Sequence, residues 1–163
     1  MSFGTGHHET TSLMIEQMLT MDLMGKKVLD MGSGTGILAI VASKLKAKEV
    51  LAIDIDDCAF QNACENKDLN KAFNVTIEMG DSQQLKRRIF DVILANISRN
   101  VLLTDIPCYS ACLFKGGQLL VSGIYKFDMD MVIECARSHQ LVYMKDLERN
   151  HWVSLLFNKK NFK

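Results

Sequence analysis

Val28-Leu29-Asp30-Met31-Gly32-Ser33-Gly34-Thr35-Gly36-Ile37-Leu38-Ala39-Ile40 is an apolar strand that stops at three glycines and continues directly into an apolar helix. A second apolar run, Val50-Leu51-Ala52-Ile53, ends on Asp54, 22 residues past Gly32. Two strand ends thus offer a bare backbone loop and a carboxylate to one ligand, the requirement of a nucleoside cofactor. Gly32 and Gly34 allow a tight turn and close approach of the ligand to the main chain, and Gly36 is expected to let helix and strand pack closely. The N–H groups that open the helix near Thr35 favour an anion.

The spacing selects among nucleosides. Nicotinamide proteins favour GxGxxG, whereas this loop is GxGxG with Asp30 two residues ahead. Asp30 suits a ligand amino group and Asp54 suits two ribose hydroxyls, which points to S-adenosylmethionine, whose amino-acid carboxylate takes the place of pyrophosphate at the helix. Charge-assisted hydrogen bonds of this kind contribute roughly 1.5–3 kcal/mol each. Asp56 and Asp57 read as the cap of the next helix. Asp81, in Met79-Gly80-Asp81-Ser82, has two readings of equal weight, an acceptor for the exocyclic amine of adenine and a turn residue.

Outward from this loop, strands and helices alternate. Expected helices cover 10–24, 35–46, 57–69, 100–113 (broken or kinked near Pro107) and 127–138. Expected strands cover 27–31, 49–54, 74–79, 90–95 and 118–122, with a hairpin-like pair at 141–147 and 152–157. Glu9 to Ser12 are expected to cap the first helix, and Lys115-Gly116-Gly117 to form a turn. The fold class is α/β, a mostly parallel sheet with helices on both faces and an antiparallel C-terminal hairpin.

The 163 residues make one domain, enough to hide roughly 70% of the unfolded surface. With 19 basic and 19 acidic residues nothing global draws the chain to nucleic acid or an anionic membrane, and Lys44, Lys46, Lys48, Lys86, Arg87 and Arg88 read as solvated surface. The five cysteines lack any CxxC and read as reduced and mostly core; Cys108 and Cys112 lie one helical turn apart with no histidine near to complete a zinc site, so no metal is expected. The absence of a signal peptide and of an apolar run of about 18 residues points to the cytoplasm. Met1 stands directly before Ser2-Phe3-Gly4-Thr5-Gly6-His7-His8, as expected for the catalytic portion of a longer protein.

Phe3-Gly4-Thr5-Gly6-His7-His8-Glu9-Thr10-Thr11 resembles the FGTGxHxTT segment of the bacterial ribosomal-protein methyltransferase family PrmA, which modifies protein L-eleven of the large subunit. Asp91-Val92-Ile93-Leu94-Ala95-Asn96-Ile97 resembles the DxxxANI segment of the same family. The resemblance runs from Phe3 to the antiparallel end. It implies a seven-stranded Rossmann-like methyltransferase fold and contacts from Thr11, Gly32, Asp54 and Asn96 to S-adenosyl-L-methionine. It also implies a lid over the cofactor from Phe3 to His8, and a ribosomal large-subunit protein as partner, methylated on lysine and N-terminal amines. The family carries its substrate-recognition domain upstream of the FGTG segment. Glu9 departs from the family pattern, where proline is common.

The candidate cofactor-binding set is therefore Phe3, Gly4, Thr5, Thr11, Asp30, Gly32, Gly34, Gly36, Asp54, Ile55, Asp81 and Asn96. Asn96 is also the catalytic candidate, because its side-chain carbonyl at a strand end, with the main-chain carbonyl of Asn96 or Ile97, can accept from an amine N–H and so orient the lone pair toward the methyl group; an amide is not a base, so protons leave through water. Asn96-Ile97-Ser98-Arg99 keeps only the first residue of the Asn/Asp-Pro-Pro-Tyr/Phe run of many amine methyltransferases, which leaves room for repeated methylation. His7 and His8 are either proton shuttles or solvent-facing loop residues. Arg99 and Asn100 are expected to cap the helix that follows. A small-molecule or nucleic-acid methyltransferase and a non-catalytic cofactor-binding module stand as the other readings.

Overall fold

A computed structural model describes residues 6–161; Phe3, Gly4 and Thr5 lie outside them, as do the side chains of His7 and His8. Five helices, α1 (Gly6–Met18), α2 (Ile37–Lys44), α3 (Asp57–Leu69), α4 (Arg99–Ala111) and α5 (Met129–Arg137), surround one seven-stranded sheet. Its strands are β1 (Lys27–Met31), β2 (Glu49–Asp54), β3 (Val75–Met79), β4 (Phe90–Asn96), β5 (Leu113–Tyr125), β6 (Leu141–Arg149) and β7 (Trp152–Lys159), in spatial order β3-β2-β1-β4-β5-β7-β6. The first five run parallel and β7 is antiparallel to both neighbours. None of the described helices is long and apolar enough to cross a membrane.

The central strands are apolar on both faces because both faces are covered. One core packs Leu29, Ile53, Ile93 and Leu119 against Leu102, Ile106 and Tyr109 of α4 and Val132 of α5. The other packs Val28, Ala52, Leu94 and Leu120 against Met14 and Met18 of α1 and Leu38 and Ala42 of α2. Burying one Leu or Ile fully contributes about 1.5–3 kcal/mol. The strand order reverses between β1 and β4, the place where open α/β sheets bind ligands. Met31 pairs with Ala95, so Gly32 and Asn96 emerge side by side.

β1, β2 and α3 begin and end where the spacing predicts. Asp56 caps α3, accepting from the Cys58 N–H at 3.2 Å. Other boundaries differ. α1 starts at Gly6, so Gly6 to His8 are helical rather than part of a loop, and Glu9 to Ser12 lie inside the helix instead of capping it. Pro107 does not break α4. The Leu103 carbonyl that its missing N–H would have served accepts from the Cys135 thiol at 3.7 Å. Lys115 to Gly117 are an irregular stretch inside β5, because the Phe90 N–H donates to the Cys112 carbonyl at 2.8 Å and Phe90 pairs with Leu113. Cys58 is exposed and Cys112 buried, so the cysteines are less uniformly core than expected. Asn150 and His151, both at positive φ, close the β6–β7 hairpin.

Candidate active site at the β1–β4 switch point

The glycine loop is shaped by its neighbours. Gly32 and Ser33 donate to the Ile53 carbonyl at 2.8 and 3.0 Å, which lashes the loop to the end of β2. Gly32 has φ +67°, and a Cβ there would lie 2.5 Å from Cγ2 of Ile97, so only glycine fits between the ends of β1 and β4. Gly36 has φ +84° and opens α2; its bare face abuts Ala63 of α3, 3.2 Å from where a Cβ would stand. The close packing that Gly36 permits is therefore helix on helix, not helix on strand.

Asp54, at the end of β2, fastens the loop. One carboxylate oxygen accepts from the Gly34 N–H at 2.8 Å and the other from the Asp56 N–H at 2.9 Å. Each oxygen retains a lone pair for a hydroxyl. Ile55 follows with its side chain 74% exposed. One strand further, the Gly80 N–H donates to the Asp54 carbonyl at 2.9 Å. Asp81 accepts from the Gln83 N–H at 2.9 Å and caps the short 3₁₀ turn Ser82–Leu85, which is its turn reading.

Asp30 is the least expected feature. It is 1% exposed, accepts from the Ala39 N–H in the first turn of α2, and leaves Oδ2 buried without a hydrogen-bond partner. The helix N-terminus that the sequence assigns to a ligand anion is thus partly served from within the chain. Burial pushes the Asp30 carboxyl up to about 8; the Ala39 N–H pulls it back and the nearby Asp54 charge raises it further. Ser33, which no sequence signal singles out, also lacks a partner for its buried hydroxyl.

Across the switch point, Asn96 is 7% exposed and its Nδ2 donates to Thr11 Oγ1 at a long 3.4 Å. This contact sets the amide so that Oδ1 is the free acceptor. Thr11, Asp30, Gly32, Ser33, Gly34 and Asn96 line one narrow, partly open cleft with an internal volume of only about 10 Å³. A roomier groove of about 610 Å³ between α1, α2 and α3 is lined by Ile15, Leu19, Ile40 and Val41 and includes none of the predicted site residues. Arg99 does not cap α4; it pairs with Asp128 at 2.9 Å and with the Asn100 side chain at 3.1–3.2 Å, and Ser98 stands at the cap.

The site therefore has an orphaned carboxylate oxygen suited to a ligand ammonium, a glycine-lined floor, an acid at the adjoining strand end and an amide carbonyl facing them. These residues fit a nucleoside that carries an amino-acid end.

The family model described as ribosomal protein L11 methyltransferase (PrmA) matches residues 1–160. The ribosomal protein L11 methyltransferase of Phocaeicola vulgatus is 49% identical over 161 residues, covering 98% of this chain and 57% of that protein. The one from Porphyromonas gingivalis is 50% identical over 158 residues, covering 96% and 54%. The chain thus spans little more than half the length of these curated relatives. The crystal structure of a ribosomal protein L11 methylase from Lactobacillus delbrueckii subsp. bulgaricus superposes with a TM-score of 0.90 at 32% identity, over 95% of this chain and 81% of that one. A methyltransferase from Pyrococcus furiosus, at 20% identity and a TM-score of 0.78, shares the fold. By motif, sheet order and the family match over residues 1–160, the chain belongs to the ribosomal protein L11 methyltransferase (PrmA) family.

Proposed function

We propose that this chain is an S-adenosylmethionine-dependent N-methyltransferase domain that acts on lysine and N-terminal amines of a ribosomal large-subunit protein. The observation that carries this reading is the meeting, at one switch point, of the unpartnered Asp30 Oδ2 with the Asp54-fastened glycine loop and the Thr11–Asn96 pair. S-adenosylmethionine, when bound, supplies an activated methyl group on a sulfonium. Asp30 would receive its ammonium, Asp54 its ribose hydroxyls, and the unpartnered Ser33 hydroxyl its amino-acid end.

The remaining task falls on the amine. A lysine with pKa near 10.4 is protonated at pH 7, and freeing it costs roughly 4–5 kcal/mol. Burial at this strand end favours the neutral amine, and the Asn96 carbonyl, accepting from an amine N–H, aims the lone pair. Positioning of two reactants can remove about 7–11 kcal/mol of barrier. The proton leaves to water, since the Asn96 amide is not a base.

Incubation with methyl-labelled cofactor and the purified ribosomal protein tests the reading. Label is expected on amines of that protein, located by mass spectrometry. Binding without transfer would favour the non-catalytic module, and label on RNA or a small molecule the other class of methyltransferase.

The state of Asp30 adds a pH signature. Its folded value of about 8 lies above the ordinary 3.8, so ionisation costs the ligand-free fold. The stability that neutral Asp30 provides is complete below about pH 4 and is lost as pH rises toward 8. An ammonium on Oδ2 reverses that cost, so cofactor binding below pH 8 releases a proton and tightens as pH rises. Calorimetry near pH 6.5 in two buffers of different ionisation enthalpy is expected to give unequal heats. Equal heats, or an Asp30→Asn protein with the parent's pH dependence of stability, would rule this out.

A further inference from the structure

At the end of β5, beyond the cleft, three aromatic rings form a ledge. Tyr125 stacks on Trp152 with centroids 4.0 Å apart and on Phe127 at 5.3 Å. Phe127 is 78% exposed and Tyr125 40%. Contiguous exposed aromatic area rimmed by polar groups marks an interaction site.

The pleat places the ledge on the side of the sheet that holds Asn96. Ile124 and Val153 belong to the core under α4 and α5, so their neighbours Tyr125 and Trp152 face the opposite side. Ser154, on the same face as Trp152, accepts from Gln17 of α1 at 2.8 Å. Leu94 belongs to the α1 side, as does Asn96 two residues on, where Thr11 meets it. Ser122, the partner of Asn96 in the β4–β5 register, precedes Tyr125 by three residues.

The charges around the ledge favour a cation. Lys126 is held by Glu148 at 2.7 Å, Arg99 by Asp128 at 2.9 Å, and Arg149, the register partner of Trp152, by Glu16 at 2.7 Å, so these three cations are already engaged. Glu9 reaches the hairpin turn beside Trp152, where Oε1 accepts from Asn150 Nδ2 at 3.4 Å. Its Oε2 is buried and has no hydrogen-bond partner. Ring faces and a spare carboxylate oxygen are the chemistry that holds an alkylammonium, which aromatic faces attract within about 6 Å of the centroid.

We propose that Tyr125, Trp152 and Phe127, bordered by Glu9, form the receiving surface for the alkylammonium side chain of the substrate, lysine and its methylated products. The proposal rests on the functional reading above and deepens it. The side chain arrives and leaves as a cation, and only the neutral amine passes to Asn96. Holding the cationic product a few residues from the cleft favours its return for a further methylation.

Trp152 is the single tryptophan of the chain, so its emission reports on the ledge directly. The probes are Nα-acetyl-Nε-trimethyllysine amide and the uncharged Nα-acetyl-norleucine amide, titrated without cofactor. The trimethyllysine amide is expected to change Trp152 emission saturably and to bind at least tenfold more tightly than the norleucine amide. Glu9→Gln and Tyr125→Leu are each expected to weaken it at least fivefold. Phe127→Ala, which alters an exposed side chain, is expected to weaken it at least threefold while calorimetric affinity for S-adenosylmethionine stays at the parent's value. Equal binding of the two probes, no saturable change, or parent-like binding by Phe127→Ala would overturn the ledge. Failure of the parent to bind S-adenosylmethionine would instead overturn the functional reading and leave the fluorescence result standing.

Discussion

Replacing Asp54 by alanine is expected to weaken S-adenosylmethionine binding by at least tenfold, and on the order of a hundredfold if its two tasks add. The carboxylate holds the Gly34 and Asp56 N–H groups at 2.8 and 2.9 Å, so its removal frees the Gly34 part of the loop and deletes the acceptor for ribose, while Gly32 and Ser33 stay tied to Ile53. Each charge-assisted hydrogen bond is worth roughly 1.5–3 kcal/mol, one to two factors of ten. A cofactor analogue without the ribose hydroxyls separates the two tasks. The parent is expected to bind the analogue more weakly than the cofactor, whereas Asp54→Ala binds both alike. If the variant still distinguishes them, Asp54 acts only as a loop fastener; if calorimetric affinity for the cofactor itself is unchanged, Asp54 is not at the binding site.

Much of this geometry was legible because it sits at strand ends. Gly32 terminates β1, Asp54 terminates β2 and Asn96 terminates β4, and parallel strands deliver their carboxyl ends to one edge. What stayed hidden depends on partners distant in sequence. Nothing near Asp30 announces that its carboxylate serves the first turn of α2 and keeps one oxygen unpartnered. Continuation of α4 through Pro107 depends on a thiol from α5. The start of α1 was misplaced because Thr10 and Thr11 read locally as caps, while burial of Leu13, Met14 and Met18 carries the helix back through them to Gly6. Tyr125 and Trp152 carry no motif; they meet only because β5 and β7 pair antiparallel. A period of two along each strand would have placed them on one face once that pairing was known.

Replacing Asn96 by alanine is expected to lower turnover by roughly a hundredfold while cofactor affinity stays within a few-fold. The amide is 7% exposed, donates to Thr11 and has its carbonyl free for the incoming amine. Losing one orienting hydrogen bond costs about 1–3 kcal/mol where the partner is left buried and unpaired, a tenfold to hundredfold effect on rate. Thr11→Val keeps the acceptor but releases the donor side of the amide, so a smaller fall in turnover is expected. Asn96→Asp provides the contrast. A carboxylate favours the protonated amine, so its turnover should recover only at higher pH than the parent's. The discriminating measurement is single-turnover methyl transfer beside cofactor calorimetry for all three variants. Equal loss of affinity and rate in Asn96→Ala would make the residue chiefly a cofactor contact. A parent-like pH profile in Asn96→Asp would show that the substrate amine does not approach this strand end.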